Sequence, residues 1–213
     1  MPRISRIRVT NIQFDHGKKH LPDVVFEAKG LDTLLLLANG GGKSLLIQLI
    51  LQTVLPNTKM GERRIADLLQ PTHYTGHVAV EWLLDNLGER RHFLCTGFCF
   101  SSGQNNETPV RYFNYLFDYE NRSGINIETL PLAQVDEKDG TKRPIQYQKL
   151  KDWLRENGIQ PIEAPGIYQE RLKIYQILPE EWKNIRDTNG SEGGVDKFFE
   201  KSRTTMQLLD NHI

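Results

Sequence analysis

The sequence has no apolar run approaching the roughly 18 residues that a membrane-spanning helix needs. Its first residues, MPRISRIRVTNI, alternate charged and aliphatic side chains where a secretion signal would carry an apolar block. Both absences argue against an integral membrane helix or a secreted leader and make the cytoplasm, without a membrane partner, the expected compartment. Cysteine is scarce: Cys95 and Cys99 are the only two in 213 residues. Four apart in a strand-like run, they share a face but lie too far apart along it for an easy disulfide. No cluster of His or Cys stands near them to complete a metal set, so they read as buried thiols. Net charge is also absent, with 27 Lys and Arg against 27 Asp and Glu. The balance is uneven, because residues 1–64 carry ten Lys/Arg and five Asp/Glu. A basic first third could face nucleic acid; a mixed solvated surface would account for it equally. Internal repeats and low-complexity segments are missing too.

What is present is an ordinary globular composition, 38% hydrophobic and 25% charged. At this length the chain can bury a core without disulfide staples, as one large or two small domains. The stretch that organises it runs from Thr33 to Leu55, TLLLLANGGGKSLLIQLILQTVL. Leu34 to Leu37 form a short continuous apolar run, as in a strand buried on both faces. A glycine-rich turn follows, Asn39, Gly40, Gly41, Gly42, Lys43 and Ser44, and then an apolar helical segment from Leu45 to Leu55. Glycines let backbone N–H groups curl round a phosphate, and the following helix adds the positive end of its dipole. Lys43 would reach the β- and γ-phosphates and the Ser44 hydroxyl would hold Mg²⁺. The complete pattern G-x-x-x-x-G-K-[ST] places a glycine where this chain has Leu37. The bland alternative is a strand-to-helix turn with an incidental lysine; the strand before and helix after favour nucleotide phosphate.

Upstream, Ile4, Ile7 and Val9 roughly alternate with Arg3, Arg6 and Arg8, which predicts a strand over Ile4–Ile12. A polar turn from Asp15 to Pro22 leads to a second strand, Asp23–Ala28, so a hairpin precedes the phosphate loop. Downstream, Pro56 and Asn57 stop the helix, and a loop with a short helix carries Arg63 and Arg64. Three strand-like runs follow, His77–Leu84, Arg91–Phe100 and Val110–Tyr119, separated by turn-forming residues at 85–88 and 101–109. They predict an antiparallel meander. Residues 120–144 are polar and turn-rich. Tyr147–Asn157 reads as an amphipathic helix with Leu150, Trp153 and Leu154 inward and Gly158 as its C-cap. The run Gly166–Ile177 fits neither period. Pro179 opens a helix with Glu180 and Glu181 in its first turn. Gly190–Gly194 then separates it from a last helical segment, residues 195–213.

A complete P-loop ATPase also needs an acidic residue ending a buried strand. Asp85 and Asp118 each end an apolar run, but both runs alternate polar and apolar residues as a half-wet antiparallel strand does. Ser191-Glu192-Gly193-Gly194 only superficially resembles the signature by which one ABC subunit contacts the nucleotide of the other. The chain therefore has the loop without the catalytic acid.

Together these features resemble the N-terminal head lobe of SMC-like ATPases, the chromosome-segregation and DNA-repair proteins whose two head lobes lie at opposite ends of a long coiled coil. The features are an early hairpin, the Asn-Gly-x-Gly-Lys-Ser loop near residue 40, the Arg-bearing turn after the helix, and the meander. KLKDWLRENG and IYQERL are most similar to the MukB and Wadjet branch. The resemblance implies an α/β P-loop fold of the ABC/SMC head type, with a mixed sheet, an antiparallel meander and helices. It implies a head lobe over residues 1–194 and, over 195–213, the root of a coiled-coil arm. It implies ATP and Mg²⁺ as cofactors, held by residues 39–44 and the following Leu45. Arg63 or Arg64 would reach nucleotide or DNA. Gln169 would be the Mg²⁺-touching glutamine, with Gln160 and Gln176 as rivals. The implied partners are the C-terminal head lobe of the same protein, a second head in a homodimer, DNA, and accessory kleisin-like subunits, in a nucleoid-associated setting. Because that second lobe supplies signature and acid, this chain alone is expected to be inactive. Two other readings stay open: a self-contained P-loop nucleotide or metabolite kinase using Asp85 or Asp118, and a non-catalytic DNA-binding or scaffold module with a relic loop.

Overall fold

The computed structural model describes residues 2–14, 18–34, 42–59, 75–87, 90–102, 110–121, 124–136 and 140–190. Its elements are β1 (Arg3–Phe14), β2 (Lys19–Glu27), α1 (Lys43–Gln52), β3 (Thr75–Leu87), β4 (Arg90–Ser102), β5 (Val110–Glu120), β6 (Ala133–Val135), β7 (Lys142–Pro144), α2 (Tyr147–Glu156), α3 (Pro165–Ile174) and α4 (Pro179–Gly190). The expected hairpin is β1–β2, and the expected meander is β3–β4–β5. They form one antiparallel sheet in the order β2-β1-β3-β4-β5, with β6 and β7 as a separate two-stranded ribbon.

All five strands of the main sheet are longer than the sequence suggests, and β3 and β2 run into residues expected in turns. Asp85, Asn86 and Leu87, expected in a turn, continue β3 opposite His92, Arg91 and Arg90 after a register shift. β2 begins at Lys19 and contains Pro22. Pro22 has no N–H to donate, and β2 is an edge strand, where a proline is tolerated. The leucine strand does not begin as expected at Leu34, which is outside any strand and 82% exposed; Leu35 to Leu37 lie outside the described residues. So do the short helix expected before residue 70 and the segment 195–213.

Strand alternation divides the interior between the two faces of the sheet. Ile7 and Val9 of β1, Val78, Val80 and Trp82 of β3, and Leu94, Phe98 and Phe100 of β4 pack with Leu45, Leu46, Leu49 and Leu51 of α1 and with Tyr168 and Leu172 of α3. Trp182 of α4 meets Trp82 edge-on at 5.4 Å. The opposite core joins Ala79, Cys95, Cys99, Phe113 and Tyr115 to Ile127, Leu130, Leu132 and to Tyr147, Leu150 and Leu154 of α2. Both thiols are fully buried there, as expected, and burial pushes them far above the usual thiol range. α2 ends at a left-handed Gly158 (φ 74°), which lets the Ile159 N–H reach the Leu154 carbonyl at 2.8 Å. On β4, Gly97 leaves room for the Tyr115 ring, which an added Cβ would approach to 2.1 Å.

Two of the arginines in the basic first third, Arg6 and Arg8 of β1, face neither nucleic acid nor solvent. Arg6 is fully buried and forks onto Glu81, Nε to Oε1 at 2.9 Å and Nη2 to Oε2 at 2.7 Å; it also bonds Glu128. The Tyr119 hydroxyl donates to the same Glu81 carboxylate. Arg8 forks onto Asp23 at 2.9 and 3.1 Å and donates to the carbonyls of Ile127, Glu128 and Leu130. Burial opposes the ionisation of Glu81 and Asp23, but the bonds from Arg6 and Tyr119, and from Arg8 and Thr10, outweigh it and hold both carboxyls below their ordinary values.

Both acids therefore titrate lower in the folded chain than unfolded. Their stabilisation is complete above the ordinary values, 4.5 for Glu81 and 3.8 for Asp23, and is lost as pH falls below them. Urea titrations between pH 7 and pH 3 are expected to show the fall in midpoint beginning near pH 4.5. Arg6→Met, which leaves Glu81 buried without its charge partner, is expected to cost about 3–5 kcal/mol in the same assay.

Candidate functional site

The site defined by the glycine-rich turn opens where β1 ends. Gly42 is the N-cap of α1 in a left-handed conformation (φ 88°, ψ 20°), and its carbonyl accepts the first helical bond from the Leu46 N–H at 2.9 Å. Its α-carbon faces the ring of Phe14, the last residue of β1; a Cβ there would stand 3.3 Å from Phe14 Cε2. The same ring carries the Lys19 ammonium 5.9 Å from its centroid. The end of β1 and the start of β2 thereby stand beside the start of α1.

Lys43 and Ser44 are exposed on the first turn of α1, while Leu45 is buried in the core beneath and anchors that turn. Among the described residues no side chain caps this N-terminus, and no acidic residue stands in its first turn. α4 has Glu180 and Glu181 in the corresponding place. The positive end of α1 thus meets an ammonium and a hydroxyl with no carboxylate among its own first-turn residues, an arrangement suited to an anion. Donor chemistry also fits Mg²⁺ beside a phosphate, since a serine hydroxyl is a hard oxygen ligand.

Of the other candidate residues, Asn39, Gly40, Gly41, Arg63 and Arg64 lie outside the described residues. Gln169 is half-buried on α3. Its neighbour Tyr168 donates to the Thr53 carbonyl at 2.7 Å, at the end of α1 opposite to Ser44. That end is about 13 Å from Ser44 along the helix axis, so no described contact brings Gln169 and Ser44 together. Gln160 accepts from Arg171 at 2.6 Å, and Gln176 is exposed with φ 59°.

Asp118 lies at the exposed end of β5, where His92 Nε2 is 2.8 Å from one carboxylate oxygen and the Tyr175 hydroxyl donates to the other at 3.1 Å. Partial burial opposes its ionisation, but these bonds win and keep it below the ordinary value. A hollow of about 250 Å³ beside His92 is lined by Pro2, Leu84, His92, Ile174, Tyr175 and Gln176, none of them from α1. Asp85 and Asp118 both sit near the ends of antiparallel strands. On the opposite face, His77 bonds Tyr115 at 2.8 Å and is pushed down to about 3 by burial and by Arg8, so it is a neutral imidazole at physiological pH.

Sequence reasoning missed the buried Arg6–Glu81–Tyr119 network. Its signal was Glu81 inside the apolar run HVAVEWLL, since a buried carboxylate needs a cation. No protein-family model matches the chain, and no curated protein matches it. Among the described residues no group of three or more His, Cys, Asp or Glu could hold a metal ion, and no helix is long and apolar enough to cross a membrane.

Gly42→Ala would combine a left-handed backbone with a tight contact on Phe14. The variant is expected to lose about 1–2 kcal/mol of stability by thermal or urea denaturation, with the fold retained by circular dichroism.

Proposed function

We propose that this chain is the ATP-binding half of an SMC-like ATPase head, acting on DNA through ATP-driven engagement of two heads. The observation that carries the reading is the start of α1: a left-handed Gly42, then exposed Lys43 and Ser44, at a helix N-terminus that no described side chain caps. In this reading the N–H groups of the first turn and the Lys43 ammonium bind the triphosphate. The Ser44 hydroxyl holds Mg²⁺, which would supply charge neutralisation when bound. The attacking water is activated by an acid from the C-terminal lobe of the same protein, and hydrolysis waits for that lobe and a second head.

Two structural facts weigh against the other readings. A self-contained kinase calls for a parallel core strand ending in its acid; the five described strands of the main sheet are antiparallel throughout, and Asp118 is already engaged by His92 and Tyr175. A DNA-binding module built on the basic first third would have to do without two of its arginines, since Arg6 and Arg8 are buried against Glu81 and Asp23.

Titration calorimetry of MgATP tests the proposal. The chain alone is expected to bind weakly, to lose that binding in Lys43→Ala, and to show no turnover. With the C-terminal portion added, binding is expected to become tight and turnover to appear. Full turnover by the chain alone would show a complete enzyme, and binding unchanged by Lys43→Ala would remove the phosphate-loop assignment.

A further inference from the structure

Helix α1 is held unequally at its two ends. Its N-terminus has no side-chain cap among the described residues. At its C-terminus the Ile50 and Leu51 carbonyls are taken locally, by Thr53, Val54 and Leu55. The next two carbonyls are taken from far away in the chain. Asn114 of β5 donates Nδ2 to the Gln52 carbonyl at 3.1 Å, and Tyr168 of α3 donates its hydroxyl to the Thr53 carbonyl at 2.7 Å. Both donors are fully buried. Asn114 is itself fixed by a two-bond backbone bridge with Ile162, at 2.8 and 2.7 Å, just before α3 begins. From α4, Arg186 reaches the Thr58 hydroxyl at 3.3 Å.

Lys43 and Ser44 lie at the other end of the same ten-residue helix, a rod about 15 Å long. Together with Leu45 and the Phe14 contact at the near end, whatever fixes the last carbonyls of that rod constrains the axial position and rotation of its first turn. We propose that Tyr168 and Asn114 are positioning residues of the phosphate site, clamping the far end of α1 so that Lys43 and Ser44 face the ligand in one register. The proposal rests on the nucleotide reading of α1. It also makes α3 the element through which the affinity of the site is regulated: a shift of α3 moves the Thr53 carbonyl and with it the first turn. By reciprocity, occupancy of the first turn strengthens the grip on α3.

Tyr168→Phe in the whole chain is the test, because it keeps the ring in the core and removes only the hydroxyl. Tyr119→Phe is the control; it removes another buried phenol donor, to Glu81 on the opposite face of the sheet, whose hydroxyl makes no hydrogen bond to α1 among the described residues. Two readouts are taken: amide hydrogen exchange of Leu46 and Ile47 without nucleotide, and the Kd for MgATP. The clamp predicts faster exchange and an affinity about tenfold weaker in Tyr168→Phe, with Tyr119→Phe unchanged in both. A merely structural hydroxyl predicts that the two variants lower the melting temperature alike and leave both readouts as in the wild type, which overturns the proposal. If the wild-type chain binds no MgATP, the nucleotide reading falls, while the exchange comparison still decides whether Tyr168 holds the first turn of α1.

Discussion

The buried pairing of Arg6 with Glu81 is the constraint on which the rest of the structure depends. The two residues are direct partners across β1 and β3, both wholly removed from solvent. A buried ion pair adds little net stability compared with a hydrophobic pair, but separating its members leaves an uncompensated charge in the core. A slip of β1 by one residue would carry Arg6 and Arg8 into the apolar core on the α1 side, away from Glu81 and Asp23. The pair thus fixes the register of the central strand. Its outer bonds extend the effect: Arg6 to Glu128, and Arg8 to three carbonyls in residues 127–130, fasten the second layer onto the sheet.

With that register set, the opposite face of β1 presents Ile7 and Val9 to α1, and Phe14 arrives against Gly42. The candidate phosphate site is therefore a consequence of strand register on one side and of the grip of Asn114 and Tyr168 on the other. Its chemistry needs only short-range groups: backbone N–H at a helix start, one ammonium and one hydroxyl. Tyr115, Tyr119, the two cysteines and the neutral His77 stay un-ionised at physiological pH.

Much of this was legible from local pattern. The hairpin and the meander show as strand-like runs bounded by turn residues, α1 as an apolar run behind the glycines, α2 as an amphipathic stretch with its Gly158 cap, and α4 by Pro179 and its acidic first turn. α3 was not legible, because apolar residues stand on both its sides, with Tyr168 and Leu172 buried and Ile167 and Ile174 exposed, which blurs the helical period. Arg6 and Arg8 misled for a related reason. Alternation shows that two faces differ, but it cannot show that the charged face is also covered, since the covering residues are 127–130, over a hundred positions away. The Gly42-Lys43-Ser44 core of the loop was plain from local spacing, whereas the clamp at the other end of α1 depends on contacts with residues 114 and 168 that no local pattern encodes.

The central claim is that the start of α1 receives the phosphates of ATP. Its most direct test is an amide-resolved NMR titration of the chain with Mg²⁺ and a non-hydrolysable ATP analogue. The account predicts that the largest shifts fall on Gly42 to Leu46 and saturate together, with the Lys43 side chain following. Shifts that leave those amides unmoved and gather elsewhere, such as the hollow beside His92, would contradict it.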